Sequence, residues 1–592
     1  MLKSFRRLFV IYKQFRARLV ISQILLFISA LCTIGIATLN QKLINDGIAA
    51  ENPQVILDTG FIMVVLAIVA GITMAGTAGL AVFFSQGTAY IVRVELYNKI
   101  QTLSFANFDQ FRTGNLLVRL NADVVNLQNA VTYSVMLLLY APFMVFVAFV
   151  LAFIFTPSLA WILIVVSVLV LALMAVIIPK VFNAYDERQH RLDAVNNTLQ
   201  ENLSGVRVVK AFVREKLEIT RFTGRADEMR KPAYQAAFRV AILSPMLAGI
   251  AQISIALTIG FGGVQVLNGT GLTVGELVTF MQYLNLVVMP LAMLAIVIPF
   301  LLRGDASASR IFEVIDAEPA VQDKEDVKSL EVEKVKGRIV FENVSFAFRR
   351  PDGEFDPPAL KNINLAIEPG ERVGFLGSTG SGKSALVNLI PRFYDVTEGR
   401  ITIDGVDVRD MPQSQLRQIV GIALQEAVLF QGDVRFNLKF AAPAVEDRVM
   451  WNASTAADAY GFINNLPQKW EAPVARRGYN FSGGQRQRLT MSRTLTAQPK
   501  VLILDDSTSA LDVATESRVQ DAIPEFAPEL TTIYVAQRIS AVLNLDKIVL
   551  MEYGEITGVG THDELLETNA LYQEIYESQL GGGITDGLEV VS

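Results

Sequence analysis

Six long apolar runs fill the first half of the chain, at roughly 19–39, 59–84, 134–155, 159–182, 240–267 and 275–302. Each has about the ~20 residues that a helix needs to cross a bilayer, and none carries a charge at its centre. The third and fourth are separated only by FTPS, which predicts a tight helical hairpin. Two connections, about 85–133 and 183–239, are too long for simple loops. Apolar residues recur in them at helical spacing, as at Leu116, Leu120, Val124 and Leu127, so they read as helices extending well into the cytoplasm. At about 318–337 the pattern breaks into a charged linker. Beyond it, short β-branched runs alternate with helical stretches and glycine turns, which predicts an α/β domain with a largely parallel sheet.

The expected organisation is therefore multidomain: an all-α six-helix membrane domain over 1–317, the linker over 318–337, an α/β domain over 338–578 and a mobile tail over 579–592. Composition agrees. Of 592 residues, 52% are hydrophobic and 19% charged, too apolar for two soluble domains. The net charge of −6 and the lack of a basic, aromatic-interleaved patch argue against nucleic acid as a partner. One cysteine, Cys32 in an apolar run, leaves no intrachain disulfide and reads as a packing residue. The two histidines, His190 and His562, leave little for zinc.

Lysine and arginine set the orientation. Residues 1–18 carry Lys3, Arg6, Arg7, Lys13, Arg16 and Arg18 and no acid, whereas the loops near 40–58 and 268–274 hold only Lys42. Both ends of the six-helix unit are thus expected in the cytoplasm. The basic start leads into a full-length span, so no cleavable signal pattern is read.

The chemistry sits in the second half. GSTGSGKS, comprising Gly377, Ser378, Thr379, Gly380, Ser381, Gly382, Lys383 and Ser384, follows the apolar strand RVGFL and precedes the helical stretch ALVNLI. In that context the glycines let backbone N–H groups curl around phosphates at a helix N-terminus. Lys383 would reach the β- and γ-phosphates, and Ser384 would bind Mg²⁺. The strand VLILD delivers Asp505, placed to hold Mg²⁺ through water, followed by Asp506. FSGGQRQRLTMSRTL opens a second helix with Ser482, Gly483 and Gly484, again suited to an anion. With one phosphate loop per chain, this second N-terminus could serve nucleotide held by another copy or a partner.

With these motifs the chain resembles a half-transporter of the ATP-binding cassette exporter type, one membrane domain fused to one nucleotide-binding domain. The resemblance implies ATP and Mg²⁺ as cofactors and Phe348 as the aromatic stacked on adenine. It implies Gln425 as a residue touching Mg²⁺ and sensing the membrane domain. Ser482, Gly483, Gly484 and Gln485 match the signature that acts on a partner's ATP, and Ser509, Ala510, Leu511 and Asp512 match the D-loop. ENLSGVRVVKAF, in the second cytoplasmic connection, implies a coupling helix.

Four departures stand out. The catalytic position after the Mg²⁺ aspartate, normally Glu, is Asp506, and the switch histidine is replaced by Gln537. Arg476 stands where an acidic residue usually precedes the signature, and Ala385 replaces the usual Thr beside the phosphates. Asp is one methylene shorter than Glu, which withdraws a general base by roughly an ångström. Gln537 can donate a hydrogen bond to the γ-phosphate but cannot become cationic or shuttle protons as His can. With the signature intact, these changes predict a heterodimer, in which this chain contributes a weakened ATP site and completes a competent one on its partner.

The expected partners are a second cassette half-transporter, membrane lipid and a small amphiphilic or lipid-like substrate in a bacterial cytoplasmic membrane. Gln23, Tyr140, Gln252, Gln282, Asn285, Met289 and Met293 are candidates for the cavity. Three alternatives stand beside this reading: import of an iron-chelate-like compound on the same fold, a homodimer with a working Asp base, and a subunit that binds ATP only as a regulator.

Overall fold

The computed structural model describes residues 7, 15–269, 271–324, 327, 329, 331–350 and 353–580. Most of the basic N-terminus, linker positions 325, 326, 328 and 330, and residues 581–592 of the tail lie outside the described residues. Contacts divide the chain into two units. One holds the residues up to Gln101 and then Gly114–Ala317, and the other holds Thr102–Thr113 and the chain from Glu318 onward.

In the first unit the six apolar runs fall in six helices: Arg16–Ile48, Pro53–Thr102, Thr113–Phe155, Ala160–Ser204, Glu215–Leu267 and Val274–Ile315. The FTPS hairpin is present, closed by Thr156 N–H to Ala152 O (2.9 Å) and Leu159 N–H to Thr156 O (3.0 Å). The Ala160–Ser204 and Glu215–Leu267 helices have 45 and 53 residues. At a 1.5 Å rise they reach roughly 70 and 80 Å, far beyond the ~30 Å hydrocarbon core of a bilayer. The short helix Val206–Ala211, inside ENLSGVRVVKAF, joins them.

The core of this unit is built from Leu159, Leu163, Val166, Phe280, Tyr283 and Leu284, all buried. Cys32 is buried and free, as packing requires. One polar cluster is embedded in the unit. The Asp123 carboxylate, its side chain 2% exposed, accepts from Ser307 Oγ (2.8 Å) and Arg310 Nε (2.9 Å).

The second unit is built on a six-stranded sheet in the order Glu555–Gly560, Lys547–Glu552, Arg372–Leu376, Thr531–Ala536, Val501–Asp505, Val420–Ala423. All neighbours are parallel except the first pair. Apart from the edge strand Glu555–Gly560, the strands read as near-continuous apolar runs because both faces are covered. Ile503 and Val535 pack on one side, Leu502 and Leu504 on the other. A four-stranded antiparallel sheet carries Ile339–Phe346.

The segment Thr102–Thr113 belongs to this second unit, although it lies in sequence between two helices of the first. Its helix, Phe105–Phe111, starts at Ser104 with a capping box to Asn107. Asn107 also donates to Glu318 O (3.1 Å) and accepts from Ala320 N–H (3.0 Å). Phe105 stacks on Phe393 with ring centroids 4.1 Å apart. The Tyr394 hydroxyl donates to Asp109 (2.7 Å). Burial, and then that bond, raise the tyrosine well above its ordinary range. The last helix runs Ala570–Leu580. Residues 579 and 580, expected in the tail, are therefore helical.

Candidate nucleotide site

Strand register assembles the site. Val535 pairs with both Phe375 and Asp505, so Leu376, Asp505 and Ala536 end their strands almost level. Ligands gather at the carboxyl edge of such sheets, and each strand here hands over to a candidate residue. Leu376 leads into Gly377–Ser384, Asp505 into Asp506, and Ala536 into Gln537. The neighbouring strand Val420–Ala423 leads to Gln425.

The loop Gly377–Gly382 curls back on the sheet. Gly382 sits at φ 99° as N-cap of the Lys383–Leu389 helix, where any side chain would be strained. A Cβ on Gly377 would stand 2.2 Å from Met551 O, so the strand pair and the loop approach too closely for anything but glycine. Lys383 is folded into this curl, donating to Gly377 O (2.7 Å), Ser378 O (2.8 Å) and Ser381 Oγ (3.2 Å). Burial pulls its ammonium below the ordinary lysine range, and Asp506 and Asp505 oppose that shift. Ser384 Oγ donates to Asp505 Oδ1 (2.9 Å). The Asp505 carboxyl is pushed up by burial, helped by Asp506 and resisted by Ser384 and Lys383. A buried carboxylate and a hydroxyl this close, both hard oxygen donors beside a phosphate loop, fit a Mg²⁺ ion. Ala385 is half-buried against the core of the sheet.

Asp506 is held by two amides. Gln425 Nε2 donates to Asp506 Oδ2 at 3.0 Å and Gln537 Nε2 to the same oxygen at 3.4 Å. The Asp506 backbone lies at φ 46°, a left-handed conformation that non-glycine residues seldom adopt. Phe348 is partly exposed at the edge of the antiparallel sheet, packed edge-on against Phe346 and Tyr394.

The signature opens the 14-residue helix Gly483–Thr496. Ser482 caps it, accepting from Gln485 N–H (3.2 Å), while Gln485 Oε1 accepts from Ser482 N–H (3.0 Å). A Cβ on Gly484 would meet Ala510 O at 3.1 Å, so signature and D-loop abut within the chain. Leu511 is buried, and Asp512 caps the next helix through Thr515 N–H (2.9 Å).

Three residues at this site escaped the sequence reading. Gln487 donates to Ser509 Oγ (3.3 Å) and accepts from Ala510 N–H (3.0 Å). It lies inside the signature run and could have been suspected. Arg538 donates to Ser509 O (3.1 Å), and Gln579 binds the switch segment from the last helix. Nothing local signals either.

In the membrane unit Gln252, Gln282, Asn285, Met289 and Met293 are exposed, while Gln23 and Tyr140 are half-buried. Gln23 spends its amide on Val135 O (3.0 Å). A separate cavity of about 790 Å³ is walled mainly by Ile178, Phe182, Leu243 and Phe300, with Arg188 and Arg303 among its lining residues.

The paired features, a six-helix membrane unit and an α/β unit with phosphate loop and signature, are those of ATP-binding cassette transporters. A family profile described as "ABC transporter transmembrane region" matches residues 19–291, and one described as "ABC transporter" matches 360–509. The chain belongs to the ABC transporter family. It is 32% identical over 575 residues to the ATP-dependent lipid A-core flippase of Syntrophus aciditrophicus, covering 97% of this chain and 94% of the relative. It is 33% identical over 540 residues to the uncharacterized ABC transporter ATP-binding protein YfiB of Bacillus subtilis, covering 91% of this chain and 92% of that protein.

The fold is similar to that of a bacterial Atm1-family ABC exporter with ATP bound, with TM-score 0.79 and 24% identity over 95% of this chain and 98% of the other. The protein is thus a multi-pass membrane ATPase whose hydrolysis is coupled to transport. It is built as a half-transporter, and half-transporters work as dimers.

Proposed function

We propose that this chain is the subunit of a heterodimeric exporter that carries the weakened ATP site, working on amphiphilic, lipid-like compounds. One observation carries the reading: the Asp506 carboxylate faces two neutral amides, Gln425 and Gln537. Neither can accept a proton and become cationic, so the short base lacks a partner able to shuttle the proton it would remove. Phe348 stacks on adenine, and Gly377 to Ser384 surround the phosphates, with Lys383 turning from the loop carbonyls to the γ-phosphate. Ser384, Asp505 and Gln425 would hold Mg²⁺, which when bound neutralises phosphate charge. Ser482, Gly483, Gly484 and Gln485 close over the partner's nucleotide, with Ser509 to Asp512 alongside. Hydrolysis runs mainly at the partner's site.

The cargo reading draws on the flippase relative and on the 790 Å³ cavity, whose apolar walls suit acyl chains and whose Arg188 and Arg303, against the single acid Asp186, suit an acidic headgroup. Arginine and lysine bias supports both termini lying on the cytoplasmic side, and the bacterial relatives support a bacterial cytoplasmic membrane. The test is purification from the native membrane in mild detergent. A second cassette protein in equal amount, with Glu and His at the positions of Asp506 and Gln537, is the expected result. In that complex, Asp506→Glu with Gln537→His should raise ATP turnover. A homodimer hydrolysing ATP at full rate unaided would overturn the proposal.

A further inference from the structure

The segment after the Thr531–Ala536 strand is held at three successive residues. Gln537 reaches Asp506 through its side chain. Arg538 reaches the Ser509 carbonyl. At the third, Gln579 of the Ala570–Leu580 helix does two things at once. Its Oε1 accepts from Ile539 N–H (2.8 Å), and its Nε2 donates to the Gln537 carbonyl (3.1 Å). These two backbone groups flank Arg538, where the strand has ended and the short turn Ile539–Ala541 is starting. A primary amide carries both a donor and an acceptor, so one glutamine closes the pair; glutamate or alanine cannot.

Apolar packing also holds the helix here, since Tyr572, Leu571 and Ile575 share a core cluster with Ile539 and Ala541. A cavity of about 230 Å³ lies among Leu571 and Ile575 of the helix, Gly377 and Ser378 of the phosphate loop, Met551, and Gln537. Gln579 adds a polar tie of the helix to the backbone of the switch segment.

We propose that Gln579 is a positioning residue for the nucleotide site, holding Gln537 at the place where it meets the γ-phosphate. The displacement or ordering of the C-terminal helix then changes how this site distinguishes ATP from ADP. The inference rests on reading Gln537 as the γ-phosphate-facing group. It does not depend on whether the site is weakened.

The experiment uses the full chain in its native complex. Photolabelling of this chain by 8-azido-ATP is competed with ATP and, separately, with ADP, so that the partner's site is not counted. Gln579→Ala should weaken competition by ATP about three- to tenfold, the scale of one or two hydrogen bonds, and leave competition by ADP within about twofold. Gln579→Glu keeps the size and the acceptor but loses the donor, and should behave like Gln579→Ala. A fall in both competitions together with a lower melting temperature would mean a purely structural role and overturn the inference. Gln537→Ala separates the two levels. If it weakens ATP selectively while Gln579→Ala does not, the positioning role fails and the assignment of Gln537 stands. If Gln537→Ala leaves the ATP-to-ADP ratio unchanged, the assignment fails and the inference falls with it.

Discussion

The two units answer to different solvents, and their polar groups show it. In the membrane unit hydroxyls turn inward onto their own helix. Thr73 bonds Val69 O, Thr77 bonds Thr73 O, Thr88 bonds Phe84 O, and Thr258 bonds Ser254 O. Large apolar side chains face outward, with Phe61 71% and Ile72 67% exposed. Hydrocarbon offers no hydrogen bonds, so these hydroxyls are satisfied within their own helix and apolar side chains need no cover. In the nucleotide-binding unit polar groups span long stretches of sequence. Asp404 accepts from the N–H groups of Lys336 and Arg338, and Arg372 pairs with Asp546. There too some aromatic rings reach the surface, and one of them, Phe348, is proposed to meet a ligand.

The comparison breaks most visibly where a charge is placed on each surface. Ile72→Lys should cost about 3 kcal/mol, because a lysine at a lipid-facing position is unpaired in hydrocarbon. Val559→Lys, on the edge strand of the large sheet, should change stability by no more than about 0.5 kcal/mol. Thermal melts of the full chain followed by fluorescence size exclusion would report both, and equal losses would sink the comparison.

Next in size is Lys383→Ala. Removing an ionic hydrogen-bond donor to phosphate should weaken ATP binding by roughly 10- to 100-fold, read by photolabelling of this chain. The melting behaviour of the membrane unit should not move.

A smaller effect is expected at the one buried carboxylate described above for the membrane unit. Asp123→Asn would leave Ser307 and Arg310 sharing a neutral acceptor, at a cost of about 1–2 kcal/mol. A melt unaltered by this change would show that the cluster is solvated.

The smallest effect has the opposite sign. Burial raises the Asp505 carboxyl. Wherever the pH lies above both the folded and unfolded values, its charge therefore costs stability. That cost begins to disappear as pH falls through the raised folded value, and it is gone below the unfolded one. Asp505→Asn should accordingly raise the melting temperature slightly at pH 7–8, with the gain vanishing in acid, while Mg²⁺-dependent ATP binding is lost. A drop in melting temperature at neutral pH would show that Asp505 is stabilising as a charge.

Much of the molecule was legible because its signals are local. An uninterrupted apolar run of about 20 residues has few other uses, and a glycine-rich loop between strand and helix marks a candidate phosphate site from eight positions. What escaped reading depends on contacts far apart in sequence. The two amides on Asp506 come from 81 and 31 positions away. Gln579 bonds across 40 and 42 positions and was read as tail because glycines follow it. Thr102–Thr113 looked like part of a cytoplasmic helical extension. Its allegiance to the second unit depends on Phe393, Tyr394 and Glu318, which no periodicity could reveal.

That last segment has a consequence for biosynthesis. Asp109 and Tyr394 are 285 positions apart. At about 5–20 residues per second, roughly 15–60 s of translation separates Phe105–Phe111 from the aromatic residues it will pack against. During that interval the finished membrane helices on either side must hold a short amphipathic helix with no docking surface. The nucleotide-binding unit, in turn, cannot be completed by residues after 318 alone. Expressed without the earlier segment, it would leave the face of Phe393 that stacks on Phe105 open to water, an aggregation risk that supplying residues 102–113 as a peptide should relieve.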